Sequence, residues 1–105
     1  MEATALIRRA EAQGDFATIL KRGDPDRGSL LLMVGRRGRH VLSLERMLTL
    51  DGDYAWQQVG PGDSSDSEEI RDFIQKRTRF DADLWVIELD IADPERFIAE
   101  TIPKG

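Results

Sequence analysis

The sequence predicts an α+β fold: a single five-stranded, largely antiparallel sheet with helices packed on both faces. Two stretches, around Leu6 and around Phe73, carry apolar residues at helical spacing. Five short apolar runs, bounded by Gly, Pro or Asp, read as strands. The order of elements is helix, four strands, helix, strand, helix. That order describes antiparallel neighbours completed by a fifth strand arriving through a helical crossover. The 105 residues fit one domain, 1–105, and leave no room for two ordinary cores.

Taken in order, Ala3, Leu6, Ile7 and Ala10 form the stripe of the first helix. Arg8, Arg9 and Glu11 lie on its wet side and Gly14 stops it. Phe16–Leu20 is the first strand. Arg22-Gly-Asp-Pro-Asp-Arg-Gly28 is dense turn chemistry, so this strand and Leu30–Val34 read as an antiparallel hairpin. Leu30-Leu-Leu-Met-Val34 does not alternate, and both its faces are expected to be covered. After the Gly35–Arg39 turn, Leu42 and Leu44 alternate with Ser43 and Glu45, which marks a wetter face. The Asp51-Gly52 pair signals a further hairpin into Tyr54–Val59, with Tyr54 and Trp56 on one side.

Residues 60–66 read as a loop. Ser65-Asp-Ser-Glu68 matches a capping box, with Ser65 as N-cap. Ile70, Phe73 and Ile74 stripe the second long helix, with acids at its start and Lys76, Arg77 and Arg79 at its end, as the helix dipole favours. Leu84–Ile91 is a second apolar run and joins Leu30–Val34 at the centre of the sheet. Asp93-Pro94 starts a last helix packed through Phe97 and Ile98. Residues 103–105 read as a flexible tail. Trp85 is a core residue, and Trp56 is a second candidate beside the polar Gln57 and Gln58.

Composition narrows the functional classes. There is no cysteine, which removes disulfides, thiolate zinc sites and thiol catalysis and fits the cytoplasm. The N-terminus lacks the pattern of a signal peptide, and the longest apolar run falls far short of the roughly 20 residues a membrane helix needs. Residues 1–47 carry nine Lys/Arg against six Asp/Glu, whereas residues 48–105 carry six against fourteen. Halves of opposite sign are expected to attract each other within one fold.

The segments Leu6-Ile-Arg-Arg9, Gly14-Asp-Phe-Ala-Thr-Ile-Leu-Lys-Arg-Gly-Asp24 with Gly28, and above all Arg79-Phe-Asp-Ala-Asp-Leu-Trp-Val-Ile-Glu88, resemble a family of short bacterial proteins, domain of unknown function 1491. The resemblance spans nearly the whole chain. In that family a proline often stands where this chain has Ala82. The resemblance implies a soluble α+β domain and brings no activity, substrate, cofactor or catalytic residue with it.

Two clusters are the candidate sites. The turn Arg36, Arg37, Arg39 with His40, joined by Arg8 and Arg9 if the first helix lies nearby, could grip a phosphate or carboxylate. The simpler reading is a solvated turn whose arginines pair with the acidic half. Asp81, Asp83, Glu88 and Asp90 surround the fifth strand, and Glu88 and Asp90 share one face. They could form an acidic ridge or hold Mg²⁺. The simpler reading has Arg77 and Arg79 neutralising Asp81 or Asp83. His40 is the sole histidine, and Ser43, three residues along a strand, is expected on the opposite face. Neither Walker-type nor dinucleotide glycine motif occurs. Asp24-Pro-Asp-Arg-Gly28 departs from a calcium loop at its sixth, seventh and twelfth positions. No catalytic residue, metal site or cofactor is assigned.

Three functions follow from this reading. The favoured one is a non-catalytic protein-interaction or regulatory module, with self-association along an edge strand as one form of it. The second is a phosphate or nucleic-acid binder acting through Arg36, Arg37 and Arg39, which an isoelectric point near 4.8 disfavours. The third is a small carboxylate-dependent enzyme.

Overall fold

The computed structural model describes residues 2–24, 29–48, 50–52, 54–63 and 66–101. They form α1 (Glu2–Ala12), β1 (Phe16–Lys21), β2 (Leu30–Arg36), β3 (Arg39–Leu48), β4 (Tyr54–Val59), α2 (Ser67–Phe80), β5 (Trp85–Asp90) and α3 (Pro94–Thr101). The class and the element order are those expected. The strands make one sheet in the order β1-β5-β2-β3-β4. β2–β3, β3–β4 and β1–β5 are antiparallel, and β2–β5 is parallel.

One expected pairing is overturned. β1 and β2 do not form a hairpin, because β5 lies between them and pairs with both. β5 is apolar on both faces, with Val86, Ile87 and Leu89 fully buried. Such a strand gains most in the interior of a sheet, between two neighbours and under helices. The segment between β1 and β2 is long enough to step across one strand, a gap of roughly 10 Å. Its ends are sewn to β5. Asp24 N–H donates to Asp83 O (3.0 Å), Trp85 N–H to Ser29 O (2.8 Å) and Trp85 Nε1–H to Asp24 O (2.9 Å). The approach is so close that a Cβ added at Gly23 would lie 2.0 Å from Asp83 O. Residues 25–28, the rest of the expected turn, lie outside the described residues.

The two sheet faces carry separate cores. On one face Leu30, Leu32, Val34, Leu42, Leu44, Trp85, Ile87 and Leu89 pack with Ala10 of α1 and Phe97 of α3, and Trp56 is half-buried against them. On the other, Leu31, Met33, Leu84 and Val86 meet Ile70, Phe73 and Ile74 of α2. The central apolar strands and the helices on both faces are therefore as expected. The side chains of Ala3, Tyr54 and Ile98 lie outside the described set.

The α2 face departs from expectation in three ways. Ser43 and Glu45, expected on a wet face, are buried beneath α2. The cost of burying Glu45 is offset by an ion pair with Arg77. Arg77 is thus committed to β3 rather than to Asp81 or Asp83. The N-cap of α2 is Asp66, which accepts from Glu69 N–H at 2.8 Å; Ser65 lies outside the described residues. Where α2 ends, Lys21 Nζ donates to Ala82 O (2.6 Å) and Leu84 O (3.1 Å), tying β1 to the turn that enters β5.

On the opposite face Arg9 of α1 pairs with Glu100 of α3 and stacks 5.9 Å from the Phe97 ring centre. Arg36 reaches Glu95 at 3.5 Å. Basic residues of the first half thus meet acids of the second, as the charge asymmetry implied.

Removing one partner of the half-buried Arg77–Glu45 pair strands a charge under α2. Arg77→Met is expected to cost about 1–3 kcal/mol in urea unfolding, and Arg77→Met/Glu45→Leu to recover most of it. Glu100 gives a pH signature. The hydrogen bond from Arg96, reinforced by Arg9, holds its carboxyl below the ordinary 4.5. A lowered folded-state value stabilises the fold above pH 4.5, and that contribution disappears as pH falls through the folded-state value. Glu100→Gln should therefore melt below the unsubstituted chain near neutral pH, and the difference should close as pH falls through the folded-state value.

Candidate functional site

A cleft of about 750 Å³ lies on the α2 face, over the end of the sheet where β2 turns into β3. Met33 and Gly35 of β2, Leu89 and Glu88 of β5, and Leu20 of β1 line it from the sheet. Asp66, Ser67, Ile70 and Ile74 line it from α2. The Arg37-Gly38-Arg39 turn, His40, Asp63 and Asp90 close its end.

The turn owes its shape to left-handed backbone at both central residues, Arg37 (φ 52°) and Gly38 (φ 77°), between the paired Arg36 and Arg39. This is the geometry that matches strand twist in a two-residue hairpin. Its inward N–H groups form a small nest. That nest is already filled: the Asp90 carboxylate accepts from Arg37 N–H (2.7 Å) and Gly38 N–H (3.0 Å). Asp90, a candidate acid, is therefore a cap that fixes the β2–β3 hairpin to the end of β5. Ile91 N–H adds a bond to Gly35 O at 2.9 Å.

His40 sits beside this turn, half-buried. Its Nε2 lies 3.0 Å from Pro61 O and 3.4 Å from Ser43 Oγ. The expected opposition of His40 and Ser43 fails because β3 carries a bulge: Val34 pairs with Leu42 but Gly35 pairs with His40, so Val41 is the extra residue and both side chains share the α2 face. The pair is nevertheless unsuited to nucleophilic catalysis. Pro61 O accepts a hydrogen bond from Nε2–H, so that nitrogen keeps its proton and has no lone pair to activate the hydroxyl, and Ser43 is fully buried. The histidine binds the 60–63 loop to the sheet.

The candidate residues are thus divided among different places. Arg37, Arg39, His40, Glu88 and Asp90 converge on the cleft. Arg9 and Arg36 are committed to acids of α3 on the opposite face, and Arg8 is exposed on α1, so the proposed arginine clamp does not assemble. Asp81 and Asp83 lie at the far end of β5. Asp81 ends α2 through its N–H to Arg77 O, and its carboxylate accepts from Asp83 N–H at 3.1 Å. Among the described residues, no three His, Asp or Glu side chains are placed to hold a metal ion.

Sequence reasoning missed one feature. β1 is an edge strand, and the side of it that faces the cleft is bare: Phe16 is 74% exposed and Leu20 46%. Ala17 and Ile19, on the other side, are partly buried against the α1/α3 core. The run Phe16-Ala-Thr-Ile-Leu20 is apolar on both sides, so its composition does not say which side is covered.

The family model described as protein of unknown function, DUF1491, matches residues 1–99. The chain belongs to the DUF1491 family. A DUF1491 protein from Caulobacter crescentus CB15 has an NMR structure 30% identical to this chain, covering 96% of it and 91% of that protein, with a TM-score of 0.75. A crystal structure of a DUF1491 protein from the same organism is 31% identical, covers 91% and 89%, and has a TM-score of 0.74. A solution structure of a protein from A. tumefaciens is 28% identical over 85% of this chain and 80% of that one, with a TM-score of 0.70. No curated protein matches the chain. The DUF1491 description carries no reaction, so the cleft's role rests on its own chemistry. No helix among the described residues is long and apolar enough to cross a membrane.

If Asp90 is a hairpin cap, Asp90→Ala should cost about 1–2 kcal/mol, comparable to losing a helix cap. Amide exchange at Arg37 and Gly38 should quicken while the β2–β5 ladder stays protected. Glu88→Ala, which removes an exposed carboxylate from the same cleft, should change neither.

Proposed function

We propose that this chain is a small, single-domain, cytoplasmic module that binds another protein chain and performs no chemistry of its own. The observation that carries this reading is the uncovered apolar side of β1. Phe16 and Leu20 stand in solvent next to a cleft whose α2 wall supplies Ile70 and Ile74. Exposed apolar residues with a polar rim mark recognition surfaces on proteins of this size. The hydroxyl nearest the cleft's histidine, Ser43, is fully buried, and that histidine is engaged by Pro61 O.

The alternative of a phosphate or nucleic-acid binder gains little support. Asp63, Asp66, Glu88 and Asp90 outnumber Arg37 and Arg39 around the cleft, and the turn's backbone donors already hold a carboxylate. A polyanion would meet repulsion there. A carboxylate-dependent enzyme would need acids with a shared target, and the four candidates are split between the two ends of β5.

A photo-crosslinking amino acid at Phe16 or Leu20, introduced in the native cell, should yield a covalent adduct with a protein chain, while the same group at Gln57 on β4 should not. Equal labelling at all three positions, or none at any, would refute the reading.

A further inference from the structure

We infer that the protein chain taken up by β1 is a second copy of the same chain, joined edge to edge with antiparallel strands so that two five-stranded sheets become one. The inference rests on the interaction reading above and names its partner. Three observations support it.

The first is the contrast between the two edges of the sheet. β4 presents exposed Gln57 and Gln58, whereas β1 presents Phe16, Thr18 and Leu20. Natural edge strands are commonly blunted by proline, by inward charges or by bulges. β1 has no proline, its only charged residue is the terminal Lys21, and its bulge falls at Leu20, between Ile19 and Lys21. The pairing with β5 is regular over Phe16–Ile19, and the exposed–covered alternation continues through Leu20.

The second is self-complementarity. A two-fold axis through Thr18 places Thr18 beside its own copy, a favourable β-branched pair. It also sets Phe16 against Leu20 of the partner subunit, and the reverse on the other side of the axis. The two most exposed apolar side chains of the strand thereby cover each other, as an isologous contact requires.

The third is charge. The strand is preceded by Asp15 and ends in Lys21 and Arg22. Antiparallel copies bring the acidic start of one beside the basic end of the other at both ends. Parallel copies would oppose like charges. Asp15 and Lys21 also hold their local structure, through Ala92 N–H and the carbonyls of Ala82 and Leu84.

A contact of one strand and two apolar pairs is smaller than the roughly 1,200–2,000 Å² of stable complexes, so a weak, concentration-dependent dimer is expected. The test uses the whole chain, which contains no cysteine. Sedimentation from about 1 μM to about 1 mM, the span of weak association, should show dimer growing at the upper end. Phe16→Lys/Leu20→Lys should remain monomeric throughout with an unchanged far-ultraviolet spectrum, since both positions are exposed. Under mild oxidation or with a short bismaleimide, Thr18→Cys should form a covalent dimer at least tenfold faster than Gln57→Cys. A wild-type chain that stays monomeric over the whole range, or Thr18→Cys and Gln57→Cys coupling at equal rates, would overturn the inference. If β1 photo-crosslinks a different protein while the chain stays monomeric, the self-pairing fails and the interaction reading survives. If β1 neither crosslinks nor dimerises, both fail.

Discussion

The parallel pairing of β2 with β5 is the constraint from which the rest of the molecule follows. Leu31, Leu32, Val34, Val86, Ile87 and Leu89 are fully buried along these two strands, and they point to both faces. A parallel pair of this composition needs covering layers above and below, and it needs a long connection between its strands. The connection here contains β3, β4 and α2, and α2 becomes the cover on one face. α1 and α3 cover the other, held to each other by Arg9 and Glu100. With β5 inserted next to β2, β1 is displaced to the edge of the sheet. The exposure of Phe16 and Leu20 is thus a consequence of how the centre is built.

Charge in this protein mostly fastens layers together. Arg77 secures α2 to the buried Glu45, Arg36 meets Glu95, and Asp90 closes the β2–β3 turn onto the end of β5. Of these residues, Arg36 and Asp90 belong to the two clusters that, taken alone, suggest ligand binding. Their partners lie within the fold, 32 or more residues away in sequence for the Glu45 and Asp90 contacts. A structural assignment therefore accounts for Arg36 and His40 of the basic cluster and for Asp81 and Asp90 of the acidic one, and leaves Phe16 and Leu20 exposed at the margin of the cleft.

That margin favours recognition over chemistry. The only histidine is engaged by Pro61 O, and the hydroxyl nearest to it is sealed beneath α2. The cleft joins an apolar wall to a strand edge, the combination through which extended chains add to sheets. The DUF1491 relatives share the fold over nearly their full length, so a binding role for this surface is open to comparison across the family.

The fold class, the number and order of elements, and the central position of Leu30–Val34 and Leu84–Ile91 were legible in the chain because apolar periodicity and turn residues act over a few neighbouring residues. Three features were not legible, for physical reasons that can be named. The turn residues between β1 and β2 mark a change of direction but not its span, so a step over β5 looked like a hairpin. A bulge of one residue at Val41 reversed the facing of His40 relative to Ser43, and nothing local to that stretch signals it. Ser43 and Glu45 alternate like a solvated face, yet α2 and Arg77 cover them. In each case the outcome was set by segments distant in sequence, through the free energy of burying β5 on both faces, and local chemistry carries no record of which distant surface will arrive.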